Sequence, residues 1–325
     1  MESAKGLKKF FNRKMFTLLI LLAVVVVVFS VLSKGTFLKP SNIRAIINLM
    51  VVSGLLTLGV GCLMIAGSID LSTGAIGTLC GIVFALFLQS MAWPIALILT
   101  VIIGMAVGAL NATLVNVVGF QPFIATMAVA SVAKGLTNVF SNGQPIPVRE
   151  PFITYIGTGR FFDVIPVSIV ITLVAFIIYA LMLSKTKFGR TIYLVGGNRE
   201  AALFSGINPV KTSYILFINC GMLSAIAGAL LSARLKSGTV VGVSASQFSG
   251  MTASMLGGIS FGGGSGGFGG VFIGLLIING FNNGLTVLGI SAYWQTVASG
   301  VLLLFALTVD YFSMKRTRRK VGVAA

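Results

Sequence analysis

Long apolar segments constrain the fold of this chain more than any other feature. The run from Met15 to Ser33 holds nineteen residues without a charge. As an α-helix it would be roughly 28 Å long, which matches the hydrocarbon core of a bilayer. Charged residues make up 9% of the chain and the mean hydropathy is +1.04, whereas soluble domains carry about 25% charged residues. Most of the chain is therefore expected to lie in lipid.

The apolar segments predict ten membrane spans. A cleaved signal peptide is the alternative for the first, but its apolar region exceeds the usual length of about 7 to 15 residues and no small-x-small pattern precedes Lys34. The expected fold class is an all-α polytopic membrane protein with about ten transmembrane helices. The predicted spans are 15–33, 46–66, 73–90, 92–117, 123–141, 164–184, 213–233, 245–261, 268–288 and 293–311.

Basic residues predict the orientation. Fifteen of the 23 Lys and Arg residues lie in three clusters, five before residue 15, five between 185 and 211, and five between 315 and 320. Cytoplasmic loops carry an excess of Lys and Arg, so all three clusters are expected to be cytoplasmic. Six predicted spans separate the first two clusters and four separate the last two, and both numbers are even, as this orientation requires.

The predicted organisation in the cell membrane follows from these clusters. It comprises a cytoplasmic N-terminal segment 1–14, a transmembrane domain 15–312 with a cytoplasmic loop 185–212, and a basic cytoplasmic tail 313–325. The net charge of +17 flanks membrane spans, where such charge sets orientation and meets anionic headgroups of membrane lipid. Nucleic acid is therefore not an expected partner.

Missing residue types narrow the chemistry. The chain has no histidine, which excludes a His proton relay, a His-ligated metal and a Ser-His-Asp triad. The glycine-rich run Gly257–Gly270 has no lysine, so it cannot bind nucleotide phosphates as a P-loop does. Cys62, Cys80 and Cys220 lie in apolar segments without paired spacing and are interpreted as core residues. No catalytic residue, metal site or cofactor is predicted, and any ATP hydrolysis would lie on another chain.

Asp70 is the acidic residue embedded between long apolar runs. A carboxylate in hydrocarbon costs about 2.5 to 3.5 kcal/mol on insertion scales, so such residues usually face a cavity, a partner or an interface. One interpretation places Asp70 in a translocation path or an ion site. The other is that Asp70 caps the following helix by accepting the amide of Ser72 or Thr73. Both interpretations can hold together.

Two glycine-rich interruptions, Gly67–Gly74 and Leu256–Gly266, break the apolar pattern. Irregular backbone at membrane depth is tolerated only where protein or water covers it, so both are expected to lie at the central interface. Paired breaks indicate broken helices and a pseudo-symmetric inverted repeat. Glycines used for close helix packing or a simple turn are the alternative. The glycines assigned to the breaks are Gly67, Gly74, Gly257, Gly258 and Gly263.

The cytoplasmic loop contains a candidate short helix. Asn198 can cap a helix that begins at Arg199, and Gly206 can end it before Pro209. A surface turn is the alternative.

Several short motifs along nearly the whole chain resemble one known family, the membrane permease subunits of ATP-binding cassette importers for monosaccharides of the ribose, xylose and galactose type. Each motif alone is weak, and their order and spacing together are specific. The motifs are Gly67–Gly74, Pro122–Thr126, Asn142–Ile146, Gly189–Arg190, Gly196–Asn198, Ala201–Ala202, Ser205–Ile207, Leu256–Gly258 and Asn282–Leu285.

The resemblance implies an importer subunit that pairs with a second permease copy or a paralogue. It would sit on ATP-binding cassette subunits and receive a monosaccharide from an extracytoplasmic binding protein. A nucleoside or a furanone-like signal stays open as an alternative substrate. The resemblance also implies a cytoplasmic coupling helix that contacts the ATPase, with the matching residues Arg199, Glu200, Ala201, Ala202, Ser205 and Gly206.

The candidate residues for the translocation path are polar side chains near the predicted breaks and spans. Each could instead form an interhelical hydrogen bond, and Lys134 could meet Asp70 or extend towards the membrane surface. The competing function is an ion-coupled secondary transporter or a channel, in which Asp70 would bind Na⁺ or H⁺ at a broken helix. The path candidates are Asp70, Ser72, Thr126, Lys134, Asn282 and Asn283.

Overall fold

The computed structural model describes residues 2–162 and 165–320, and most of these residues are helical, as predicted. Residue 1 of the predicted N-terminal segment and residues 321–325 of the predicted tail lie outside this part. The helices of the first half are α1 (Glu2–Leu32), α2 (Pro40–Ile65), α3 (Thr73–Phe87), α4 (Trp93–Asn116), α5 (Pro122–Ser141), α6 (Pro151–Thr158) and α7 (Val167–Lys185). They are followed by α8 (Lys187–Gly197), α9 (Arg199–Phe204), α10 (Pro209–Leu235), α11 (Gln247–Leu256), α12 (Phe268–Val287) and α13 (Ala292–Lys320).

Short elements connect the helices. The 3-10 helices Thr36–Leu38 and Gly242–Ser246 precede α2 and α11. Strands β1 (Ile146–Pro147) and β4 (Ser237–Gly238) pair antiparallel, as do β2 (Arg160–Phe161) and β3 (Ile165–Pro166).

Proline sets several helix starts. It is the first residue of α2, α5, α6 and α10, where its fixed φ suits the helix and its missing N–H removes no intrahelical bond. Pro40 and Pro209 therefore fix where the two central helices begin.

Within residues 2–162 and 165–320, seven helices are long and apolar enough to cross a membrane, namely α1 from Met15 onwards, α2, α4, α5, α7, α10 and α12. The predicted spans 73–90 and 293–311 correspond to shorter apolar helices, α3 and the part Ala292–Phe305 of α13. The predicted span 245–261 is a 3-10 turn followed by the ten-residue α11, which is about 15 Å long and too short to cross. The count of ten transmembrane helices is therefore not confirmed, and in the segment 245–261 the helix ends before Gly257.

Helices α2 and α10 form the buried centre. In α2, 78% of the most apolar window is buried, and 72% in α10, against 17% in α1. The two helices run antiparallel, since Gly59 lies against Cys220 and Arg234 donates to the backbone carbonyl of Asn48 at 2.6 Å. All three cysteines are buried and free, as predicted.

The packing around this centre repeats. Helix α10 packs against α3 and α4, which follow α2, while α2 packs against α11 and α12, which follow α10. Likewise α5 packs on α3, and α13 packs on α11. Each central helix thus packs on the helices that follow the other central helix, and the two central helices are antiparallel. This is the arrangement expected for an inverted repeat in which α2–α5 match α10–α13. In this matching the counterpart of the break after α2 is the segment 236–246 after α10, rather than 256–266 as the sequence suggested.

Glycines allow the helix backbones to touch. A methyl group placed on Gly221 of α10 would lie 2.0 Å from the carbonyl oxygen of Gly104 on α4. One placed on Gly228 would lie 2.0 Å from the carbonyl oxygen of Gly77 on α3. Because lipid supplies no hydrophobic force between helices, close packing at small residues is a main source of their association.

The three basic clusters lie at one end of the helix array. Met15 of α1 is beside Gly269 at the start of α12, and Phe29 is beside Gly284 near its end, so α1 and α12 run parallel. The loop before α12 contacts Gly196 at the end of α8. Helix α13 runs antiparallel to α12, since Thr286 bonds to Gln295 and Asn282 to Ser299. The N-terminal, central and C-terminal clusters therefore share one side of the helix array.

Replacing Gly221 with Ala tests the glycine packing. The added methyl group has no space against the Gly104 carbonyl, so the Gly221→Ala protein is expected to lose about 1 to 3 kcal/mol of stability. The matched control is Gly135→Ala on α5, where nothing lies within 4 Å of an added methyl group. Thermal unfolding in detergent measures both, and an equal midpoint for the two variants would contradict the packing.

Candidate translocation and coupling site

Asp70 lies fully buried in the segment between α2 and α3. Its Oδ1 accepts hydrogen bonds from the backbone N–H of Ser72 at 2.7 Å and from the Ser72 hydroxyl. Asn111 on α4 donates from Nδ2 to Asp70 Oδ2 at 3.3 Å and to Ser72 Oγ at 2.7 Å. The predicted acceptance of the Ser72 amide is confirmed, although α3 begins only at Thr73.

Other helices hold the same segment. The Thr126 hydroxyl of α5 accepts from the backbone N–H of Leu71 at 3.1 Å. Gln247 of α11 donates to the Leu71 carbonyl at 2.8 Å and accepts from the Gly74 N–H at 3.1 Å. The break between α2 and α3 is thus tied to α4, α5 and α11, and this satisfies its backbone inside the membrane region.

The residues predicted to line the path do not all lie together in the structure. Asp70, Ser72 and Thr126 come together, and all are fully buried, so they face protein rather than an open channel. Lys134 is exposed on α5. The suggested ion pair between Lys134 and Asp70 is therefore wrong.

The two asparagines of α12 have different surroundings. Asn282 donates to the Ser249 hydroxyl at 3.4 Å and accepts from the Ser299 hydroxyl at 3.2 Å, which is the interhelical bonding given as the alternative. Asn283 is only 5% exposed, and its Oδ1 has no hydrogen bond partner among the described residues.

The glycines of the breaks have different roles. Gly67, Gly258 and Gly263 have φ of +79°, +99° and +80°, a region that favours glycine. Gly257 ends α11, and a methyl group on it would lie 2.3 Å from the Cα of Val271 on α12. Gly74 lies inside the first turn of α3, so its assignment to the break is wrong, since Thr73 already has helical backbone.

The predicted short helix in the loop 185–212 is confirmed as α9. Asn198 caps it by accepting from the Ala201 N–H at 2.9 Å, and Gly206 follows it with φ of +78°. Ala202 is buried, while Glu200 is exposed. Phe204 is 88% exposed. The helix is therefore anchored on one face and open on the other.

Helix α8 was not predicted from the sequence. Thr186 caps it by accepting from the Gly189 N–H at 3.0 Å, and Ile192 and Val195 are buried. The apolar spacing of Phe188, Ile192 and Val195 was the available signal. Asn111 and Gln247 were also missed, and the only signal was a polar side chain within an apolar helix.

Helix α8 reaches the loop between α11 and α12 through Tyr193. Its hydroxyl donates to the Gly266 carbonyl at 2.7 Å. Burial raises the pKa of Tyr193, so the phenol keeps its proton and remains a donor near neutral pH.

A cavity of about 450 Å³ lies beside α8 and α9. Part of its wall comes from the end of α2, and the rest from the α4–α5 connection and the start of α10. The lining includes Ser68, Val115, Phe120, Pro122, Asn198, Arg199, Pro209 and Ser213.

Asp70 is expected to stabilise the protein. Asp70→Ala leaves the Ser72 and Asn111 donors without their acceptor, and each buried unpaired donor costs about 1 to 3 kcal/mol. We expect a loss of about 2 kcal/mol or more in the free energy of unfolding, with a smaller loss for Asp70→Asn, which keeps one carbonyl oxygen. Glu200→Ala, at an exposed acid, is the control. Unfolding of the detergent-solubilised variants measures the loss, and equal stability of Asp70→Ala and Glu200→Ala would refute this role.

Comparison with known families agrees with this architecture. The profile described as "Branched-chain amino acid transport system / permease component" matches residues 42–307. No solved structure matches the chain.

Curated relatives match over nearly their full length. The ribose import permease protein RbsC of Bacillus subtilis (strain 168) is 38% identical over 89% of this chain and 90% of that protein. The D-allose transport system permease protein AlsC of Escherichia coli (strain K12) is 33% identical over 89% of each. The probable ABC transporter permease protein YphD of the same strain is 31% identical over 97% of this chain and 95% of that protein. The chain therefore belongs to this permease family, as a multi-pass membrane subunit of an ATP-binding cassette importer rather than an enzyme.

Proposed function

We propose that this chain forms the membrane path for a monosaccharide such as ribose, driven by ATP hydrolysis on a partner. The observation that carries the proposal is the 38% identity to a ribose import permease over 89% of the chain. An ATP-binding cassette subunit supplies the energy, and an extracytoplasmic binding protein delivers the sugar. Membership of an importer family argues against an ion-coupled transporter or a channel.

Helix α9 is the proposed contact for the ATPase. It lies on the side of the three basic clusters, and caps at both ends fix its length. Its open face presents Leu203 and Phe204, which are 59% and 88% exposed. Large exposed apolar residues on a short polar segment are typical of a docking surface. The proposed contact residues are Arg199, Glu200, Ala201, Ser205 and Gly206. Ala202, which the resemblance also assigned to this contact, is buried against the chain itself and is therefore not a contact residue.

The orientation follows from this contact. Segment 1–14, the loop 185–212 and the tail 313–325 face the cytoplasm, and the domain 15–312 lies between them in the cell membrane. The opposite end presents the exposed basic residues Arg149, Arg160 and Lys236 around the strand pairs and α6. We assign this end to the binding protein, whose acidic side chains would complement these charges.

A polar stripe on α5, composed of Ser131, Lys134 and Asn138, is the proposed wall of the path. The three residues are exposed, and their spacing of three and four places them on one helix face. By contrast, the large exposed side chains along α4 and α7 are Ile, Leu and Val, as lipid requires. A polar stripe facing lipid would be costly, so the stripe is proposed to face a second permease copy across a water-accessible path.

The other candidate residues for the path are proposed to support this stripe. Asp70, Ser72 and Thr126 fix the start of α5 through the Leu71 N–H contact. Asn282 and Asn283 occupy the corresponding position in the other half, since α12 and α13 match α4 and α5 in the repeat. ATP-driven closure would move α9 and rock these helices about the path.

Cysteine labelling tests the stripe. Ser131→Cys and Asn138→Cys are expected to react with a membrane-impermeant maleimide in the assembled transporter, because they face water. Val132→Cys and Val139→Cys, which are exposed on the neighbouring apolar face, are the controls and should react little. The native cysteines are buried and add little background. Equal labelling of both pairs would remove the stripe from the path.

Substitutions in α9 test the coupling. Glu200→Lys combined with Ser205→Trp should lower ATP-driven uptake of ribose at least about fivefold, since coupling between sites usually spans about 5- to 150-fold. The permease should still reach the membrane, because both side chains are exposed. Ser184→Glu, exposed at the end of α7, is the control with a new charge outside α9. Uptake that is unchanged in the double variant would overturn the assignment.

A further inference from the structure

The end of α8 is joined directly to both halves of the helix array. Gly196 touches the end of α2 and the loop between α11 and α12, and the Gly264 N–H of that loop donates to the Ile65 carbonyl at 2.8 Å. We call the contact among Ile65, Gly67, Gly196, Gly263 and Gly264 the glycine junction.

The glycine junction leaves no room for a side chain at Gly196 or at Gly263. A methyl group on Gly196 would lie 1.8 Å from the Ile65 carbonyl oxygen and 2.8 Å from the Gly264 nitrogen. One on Gly263 would lie 2.8 Å from the Gly196 carbonyl oxygen and 2.9 Å from the Gly67 Cα. Three backbone segments are therefore in direct contact, with no flexible side chain between them to absorb a displacement.

A cavity borders the other flank of α8 and α9. This cavity of about 450 Å³ lies between Asn198 and Phe120, and the junction glycines Gly67 and Gly196 also line it. On this flank Arg199 donates to Asn116 Oδ1 of α4 at 3.4 Å. The coupling loop is thus in direct backbone contact with α2 and the α11–α12 loop, while the cavity lies between it and the start of α5. Tyr193 reinforces the tight side through its hydrogen bond to the Gly266 carbonyl.

We infer that the end of α8, the end of α2 and the α11–α12 loop move as one body through the glycine junction when the ATPase moves α9. The cavity is the space into which that body moves against α5, which carries the polar stripe. This inference rests on the proposed function and adds the contact that carries the motion. A single cytoplasmic element thereby acts on the break of the first repeat, at Gly67, and on the α11–α12 loop of the second.

Adjacent glycines provide a matched test. Gly196→Ala forces a methyl group onto the Ile65 carbonyl, whereas Gly197→Ala adds the same group where nothing lies within 4 Å. Both variants are assembled with the ATP-binding subunit and the binding protein in proteoliposomes, and ribose uptake, ATP hydrolysis and copurification of the ATPase are measured. We expect Gly196→Ala to keep the ATPase bound and hydrolysing while uptake falls at least about fivefold. Gly197→Ala should retain uptake, and equal uptake by the two variants would overturn the inference.

If Gly196→Ala fails to fold, the variant Tyr193→Phe tests whether the contact of α8 with the α11–α12 loop transmits the motion. It removes only the hydroxyl that bonds the Gly266 carbonyl. We expect Tyr193→Phe to lower the amount of ribose taken up per ATP hydrolysed. An unchanged ratio of uptake to ATP hydrolysis in Tyr193→Phe would refute the inference. Failure of the proposed function is distinguishable, because in that case the unmodified complex itself would show no ATP-driven uptake of ribose.

Discussion

Backbone contact at glycine is the constraint on which the rest of this structure depends. Helices in lipid gain little from apolar burial against one another, so their association needs close packing. Gly104 with Gly221 and Gly77 with Gly228 bring α4 and α3 onto α10 at distances that no side chain would permit. The central pair α2 and α10 is thereby enclosed, and the short helices α3 and α11 are held where they could not cross the membrane alone.

Buried polar groups are the second source of stability, because they satisfy backbone groups where the helices are interrupted. The break after α2 exposes backbone groups that lipid cannot satisfy, and side chains from α4, α5 and α11 supply the partners. Asp70 organises this arrangement by accepting from Ser72 and Asn111. The carboxylate that looked like an ion site is therefore explained by the chain's own donors. The polar stripe of α5 is the proposed wall of the path, and the open face of α9 is the proposed contact for the ATPase.

Local signals were sufficient for much of the fold. Apolar length identified the seven long spans, and Asn198 with Gly206 marked α9. The remaining features depend on contacts between distant segments. Nothing local distinguishes Gly196, where an added methyl group would meet the Ile65 carbonyl, from Gly197, where nothing lies within 4 Å of one. The partners of Asp70 were equally inaccessible, since Asn111 lies 41 residues away in the chain. The length of α11 was misjudged because an apolar window does not report where serine and glycine interrupt the helix.

Reconstitution tests the central claim, that this chain forms the transport path and that a separate ATP-binding subunit drives transport. The purified chain is placed in proteoliposomes alone or with its ATP-binding subunit and binding protein, and uptake of labelled ribose is followed with ATP or with a Na⁺ or H⁺ gradient. The account predicts uptake only for the complete assembly and only with ATP. Uptake by the chain alone under an ion gradient would contradict it.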